Sequence, residues 1–437
     1  MEVLKSAADH EVSMTLPLMC DDQKQEQYGY GSGGKHDSNY SHRPKTSNTS
    51  FVKTVFNGAG LLSIPYALSS GGWLSLILLL VIALAAFYSG LLIKRCMDLD
   101  SSNIKTYPDI GHCAFGRKGR TLVSIFMYIE QYLVPTGFLI LGGDNLNNLF
   151  PGIKLEIMSG LITISGVQLS ILIVALVILP TVWFDNLSIL SYVSASGVIA
   201  SGIIFGSIMW AGAFDGIGFH IEEGVVLNWK GIPTAVSLYA FCYSAHPVFP
   251  TLYTSMKNKN QFSNVLVLCF IICTSTYALM AVVGYLMFGS KVQSQITLNL
   301  PTMKLSSKVA TYTTLITPIA KYAINIRPIV DEVQSSLPNN LNTKFSGMII
   351  GTIILISNVM IALTIPFFAS LMALVGAFVS VTGSITLPCL CYLKISGTYK
   401  RFGWELAILV TIMVMGFVVA ISGSYTSLLE IIGNLQL

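Results

Sequence analysis

The stretch GIPTAVSLYAFCYSAHPVFPTLY, residues 231–253, decides how this chain folds. It is apolar over roughly the 20 residues that a helix needs to cross a bilayer. Yet Cys242-Tyr243-Ser244-Ala245 sets small and polar residues at its middle, and Pro250 stands five residues past Ala245. A second stretch, FVKTVFNGAGLLSIPYALSSGG at 51–72, has the same layout: Asn57-Gly58-Ala59-Gly60, with Pro65 five residues past Gly60. The two motifs superpose at one constant offset, Gly60 onto Ala245 and Pro65 onto Pro250. Paired interruptions in corresponding halves mark an inverted repeat whose first and sixth helices are unwound halfway. Unwinding frees backbone N–H and C=O groups where no water can satisfy them, so it is tolerated only where the backbone lines a cavity or meets a ligand. Half-helix N-termini suit a carboxylate, freed carbonyls suit an ammonium, and glycine permits close approach. The plainer reading, that these glycines and prolines only pack and kink, suits one such helix better than two in register.

The rest of the chain agrees with a membrane setting. Of 437 residues, 53% are hydrophobic and 11% charged, where a soluble domain carries about 25% charged. Eleven apolar spans are expected, at 50–69, 73–96, 119–145, 163–183, 187–212, 231–254, 262–288, 307–328, 344–365, 367–392 and 404–432. Spans nine and ten almost touch, separated only by Pro366 and Phe367-Phe368, and merging them would give ten. Residues 1–48 lack the apolar core of a signal peptide, and their Ser, Gly, Asp, Lys, Gln and Tyr content predicts a disordered cytosolic tail ahead of a transmembrane domain at 49–437. Of the 25 Lys and Arg, only Lys154, Lys230, Lys291, Lys304 and Lys308 fall on the side opposite this tail, and Lys321 falls within a span. That bias puts the N-terminus in the cytosol and the C-terminus outside it or in a lumen. The sequons at Asn39, Asn48 and Asn186 then face the cytosol and stay unused. The net charge of +4 gives no case for nucleic acid. The eight cysteines lack zinc spacing, so free thiols are expected and no metal or cofactor is.

Ionisable groups inside spans start as functional candidates. Glu130 lies near the middle of span three, either as a proton carrier or as a gating and helix-to-helix hydrogen-bond partner. His246 is the one histidine within a span and follows the proposed break. It either titrates with a proton gradient or, as a neutral ring, satisfies the unwound backbone. Lys321 follows Thr317-Pro318 by about one turn. It either snorkels to the cytosolic face, toward Arg327, or holds its ammonium where a sodium ion sits in other carriers.

Five stretches, SFVKTVFNGAGLLSIPYAL (50–68), TYPDIGHCAFG (106–116), FLILGGDNLNNLFP (138–151), LYAFCYSAHPVFPTLYTSM (238–256) and TPIAKYAINIRP (317–328), resemble the amino acid/auxin permease superfamily. Within it they are similar to the plant and fungal vacuolar amino-acid transporters. The resemblance implies an all-α membrane protein of eleven helices with a LeuT-like five-plus-five inverted repeat and alternating access. It also implies neutral amino acids moved with, or exchanged for, protons, at a vacuolar membrane with the plasma membrane as the alternative, by a chain acting as a monomer. In sodium-coupled relatives an asparagine four residues before the Gly-x-Gly works with a threonine of span eight. Here the threonine is Thr317 but the first position is Thr54, which speaks against sodium, although Asn57 is close by. Close relatives often carry an acid at the position of Gly142, a further departure.

The substrate site expected from both arguments is Asn57, Gly58, Ala59 and Gly60 with Cys242, Tyr243 and Ser244. The coupling candidates are Thr54, Glu130, His246, Thr317 and Lys321. An enzyme would need a nucleophile or metal constellation, and a single intramembrane histidine without a carboxylate partner does not supply one. A non-transporting amino-acid sensor is the remaining competitor, and flux separates it from a carrier.

Overall fold

A computed structural model describes residues 58–436 apart from 101–102, 153–154, 158–161, 184–186, 221–223, 257, 339–342 and 401–402. The tail, Thr54, Asn57 and the three sequons therefore lie outside the described residues. The helices are α1 (Gly58–Gly71), α2 (Ser75–Leu99), α3 (Tyr107–Leu149), α4 (Gly166–Val182), α5 (Leu187–Phe214), α6 (Ile232–Cys242), α7 (Phe249–Ser255), α8 (Phe262–Phe288), α9 (Leu305–Ser335), α10 (Lys344–Thr364), α11 (Phe368–Leu374), α12 (Leu387–Ser396) and α13 (Trp404–Leu435). With α6–α7 taken as one span and α11–α12 as another, they make eleven. Six stretches, α2, α3, α8, α10, α11–α12 and α13, are long and apolar enough to cross a membrane by themselves.

Local chemistry sets the ends. Thr106 and Asp109 form a capping box at the start of α3, with Pro108 in the first turn where its missing N–H costs nothing. That start is twelve residues ahead of the apolar span, because hydropathy does not see the polar leading turns, which kink away at Phe115-Gly116. Ser165 with Gln168 and Thr343 with Ser346 cap α4 and α10 in the same way. Spans nine and ten are separate, since Ile365-Pro366-Phe367 is not helical. One element was unforeseen: between α3 and α4 a short antiparallel hairpin pairs Leu155–Ile157 with Ile162–Ile164.

Between α11 and α12 the tenth span winds as π-helix at Val375–Ser380 and Thr382–Thr386. Gly376 lets this span touch α6: a Cβ built there would stand 2.0 Å from the Ser237 carbonyl oxygen. α6 is thus enclosed by α1, the π-helical span and α13. The outer face of α13 carries exposed Val414, Phe417, Ile421 and Ile432, a surface suited to lipid.

At one end of the bundle Arg95 pairs with Glu405 at 2.8 Å, Tyr392 donates to the same carboxylate at 2.9 Å, and Tyr253 and Lys94 both reach Asp98. These contacts gather the ends of spans two, six, ten and eleven, the end where the basic residues concentrate.

Candidate substrate and coupling site

Span six breaks where its sequence said it would. α6 ends at Cys242, Tyr243 and Ala245 leave helical geometry, and a 3₁₀ turn, His246–Val248, leads into α7. Two prolines cause it. In an unbroken helix Pro247 would have to donate to the Tyr243 carbonyl and Pro250 to that of His246. Neither has an N–H, and each ring clashes with the carbonyl four residues back. The chain closes tighter bonds instead: the amides of Ser244 and Ala245 donate to Phe241 and Tyr243.

Span one differs in detail. Gly58, Ala59 and Gly60, expected in the unwound stretch, form the first turn of α1, so any interruption lies before them, outside the described residues. First-turn amides have no partner within the helix, so these three still present free backbone donors. Gly60 sits directly on the break of span six. A Cβ added to it would come within 2.7 Å of the Cys242 sulfur and 3.3 Å of the Cys242 Cα.

Two ionisable side chains fasten onto the break. Glu130, buried in α3, accepts from Ser380 of the π-helical span at 2.7 Å. The Ser244 hydroxyl is within reach of the same carboxylate and as placed donates to the Phe241 carbonyl at 2.9 Å. His246 is fully buried. Its Nε2 lies 2.8 Å from the Ala86 carbonyl and 2.8 Å from Ser89 Oγ, while Ser89 donates to the Ser384 carbonyl at 2.7 Å. A carbonyl only accepts, so the neutral ring carries its proton on Nε2. Nδ1 is then bare, has no well-formed hydrogen bond, and lies toward the Tyr243 backbone. Burying a carboxylate and an imidazole here is tolerable because each is met by hydroxyl or backbone groups.

The aromatic flank of the break belongs to α8. Tyr243 donates to Thr274 at 2.9 Å, stacks on Phe270 with centroids 5.8 Å apart, and meets Tyr277 edge-on. Tyr277 donates to the freed Cys242 carbonyl at 3.4 Å. A cavity of about 10 Å³ beside it, lined by Cys242, Tyr243, Ala245, Phe270 and Cys273, holds one water at most. The described cysteines are all free.

Thr317 is buried in α9, next to Pro318. No hydrogen bond links it or Lys321 to the break among the described residues, and the Lys321 ammonium makes no ion pair there, while Arg327 pairs with Asp331 at 2.8 Å. So the structure brings His246, Cys242, Tyr243, Ser244 and Gly60 together with Glu130 close by, and among the described residues no hydrogen bond joins Thr317 or Lys321 to them. It also adds Ser89, Ser380 and Tyr277. None of these left a sequence signal, since serine and tyrosine at such positions are ordinary in membrane helices.

A multi-pass membrane transporter of the inverted-repeat class is what this fold and broken helix define. Over 87% of its length the chain superposes, with a TM-score of 0.53 and 12% identity, on 88% of the chain of a Na+-coupled sialic acid symporter solved in a substrate-bound outward-open state. Residues 46–429 match the family described as transmembrane amino acid transporter protein, and the chain belongs to that family. From Arabidopsis thaliana, amino acid transporter AVT1I is 56% identical over 92% of this chain and 100% of its own length. Amino acid transporter AVT1J is 57% identical over 89% and 92%. The protein is accordingly a transporter and not an enzyme.

Proposed function

We propose that this chain moves neutral amino acids across a membrane by alternating access, coupled to protons. The observation that carries the reading is the pair of buried ionisable groups at the break of span six, His246 within it and Glu130 within reach of its Ser244, with no cationic side chain paired to either among the described residues. The substrate carboxylate would rest on the first-turn amides of α1, Gly58 to Gly60, with Asn57 beside them. The ammonium would rest on carbonyls freed at Cys242 to Ser244. A protonated Glu130 leaves the Ser244 hydroxyl to the Phe241 carbonyl, whereas the ionised form competes for it. A proton on His246 lands on Nδ1, toward the Tyr243 backbone. Both events act on the backbone that would hold the substrate, which is how a proton could bias the rocking of spans one, two, six and seven against the others. Thr54 and Thr317, where other carriers hold sodium, and Lys321 complete the set of coupling candidates.

We place the carrier in the vacuolar membrane as a monomer with its N-terminus in the cytosol, as the AVT resemblance and the distribution of basic residues suggest. The deciding experiment is reconstitution in liposomes with a panel of labelled amino acids under imposed pH or sodium gradients. Uptake driven by the pH gradient is expected; uptake driven by sodium alone would overturn the coupling. A fluorescent fusion locates the membrane, and binding without flux would mark a sensor.

A further inference from the structure

A cavity of about 530 Å³ lies away from the break. It lies toward the end of the bundle where α3 ends and α11 begins, walled by Tyr66 of α1, Asp144 and Asn147 of α3, Ser294 of the loop after α8, Ser370 of α11 and Asn434 of α13. Its size falls within the range of about 300–1,000 Å³ typical of small-molecule sites. It also lies between α1, on the side expected to rock, and α3, on the side expected to stay.

Its charge is one-sided. Among the described residues, Asp144 is the only charged one in the wall, and no lysine or arginine lines it. One Asp144 oxygen accepts from Gln295 Nε2 at 2.9 Å, and the carboxylate has no other protein hydrogen bond and no ion pair among the described residues. A carboxylate offers about four acceptor positions, so most remain open. The holder is rigid: Asn145 donates to the Gln295 side-chain Oε1 at 2.5 Å and to the Leu141 carbonyl at 2.8 Å, and accepts from Thr297 at 2.7 Å. Asn145, Gln295 and Thr297 are all fully buried. A second carboxylate stands behind the wall, Glu430, which accepts from Ser370 and Thr234. Among the described residues, one acid in the wall and one behind it, with no base, make a chamber that attracts cations and repels anions.

We infer that this chamber is an entry site for a primary ammonium group, held by Asp144, where an α-amino acid docks before it reaches the break. The inference rests on the transport reading, and one of its two tests does not depend on flux. First, KM is measured in oriented vesicles with substrate presented at the chamber face or at the opposite face. Asp144→Asn should raise KM about tenfold from the chamber face only, leave kcat within about twofold, and be rescued by Asp144→Glu. An unchanged KM, or an equal rise from both faces as a structural defect would give, overturns the proposal. Second, Ser294→Cys is labelled with methanethiosulfonates carrying either an ammonium or a sulfonate. The cationic reagent should react several-fold faster, and Asp144→Asn should remove most of that preference. Equal rates in the Asp144 background overturn the proposal even if no amino acid is transported.

Discussion

Single atoms set the chemistry of this protein. Glu130 is one carboxylate oxygen away from Ser380 and a hydroxyl rotation away from Ser244. Glu130→Gln keeps the shape and an acceptor for Ser380 but can no longer exchange a proton. We expect it to fold, to bind amino acid, and to lose pH-gradient-driven uptake by about a hundredfold, while counterflow at equal pH persists. Loss of counterflow and binding together would show that the carboxylate only holds the helices. At Gly60 the argument is steric. A Cβ would overlap the Cys242 sulfur at 2.7 Å, and a branched one would also occupy the space beside the first-turn amides. Gly60→Val should abolish uptake, and Gly58→Leu should do the same while the protein still reaches its membrane; undiminished transport by the Gly58 variant rules out the proposed site. The sequence made Glu130 and His246 legible because an acid and a histidine are rare in mid-membrane and need a reason, and Gly60 because it stands in a motif that recurs five spans later. Ser89 and Ser380 were not legible, since serine is common in membrane helices and only its neighbours distinguish it.

Helices show which interruptions matter. Pro247, not only Pro250, opens span six, because it removes the donor that Tyr243 would otherwise have and disfavours helical geometry at His246. Pro247→Ala gives that donor back. The expected result is a more regular span, a rise in Tm of a few degrees, and a fall in transport of at least about tenfold; unchanged transport would mean that the break can close without consequence. In span one the interruption read at Gly58–Gly60 is instead the first turn of α1, as propensity alone does not say which side of a glycine a helix begins. The π-helical turns of span ten were invisible for a related reason. Their residues are ordinary helix-compatible ones, and the extra residue per turn is accommodated by what packs against it, including the Tyr107 hydroxyl on the Gly383 carbonyl and Ser89 on that of Ser384.

Across the molecule, the binding elements are held by close backbone contact more than by charge. Gly376 on Ser237 is one of the two tightest examples among those described, and Gly376→Ala should lower Tm and the folded yield in detergent more than its single methyl suggests, because its neighbour is backbone and cannot rotate away. The ion pairs at the basic end are partly exposed, and Arg95→Gln should cost about 1 kcal/mol or less by thermal unfolding.

By itself the sequence determined the number of spans, the duplicated interruption and the presence of a mid-membrane acid and histidine. All of these follow from local signals: apolar length, missing N–H groups and the cost of burying charge. Only the tertiary structure decided that Glu130 meets Ser380 of span ten within reach of Ser244, and that His246 of span six meets Ser89 and the Ala86 carbonyl of span two. It alone placed Asp144 in a chamber whose described residues include no base. These facts depend on which distant helices are neighbours, and residues hundreds of positions apart leave no mark of their adjacency in a single chain read from end to end.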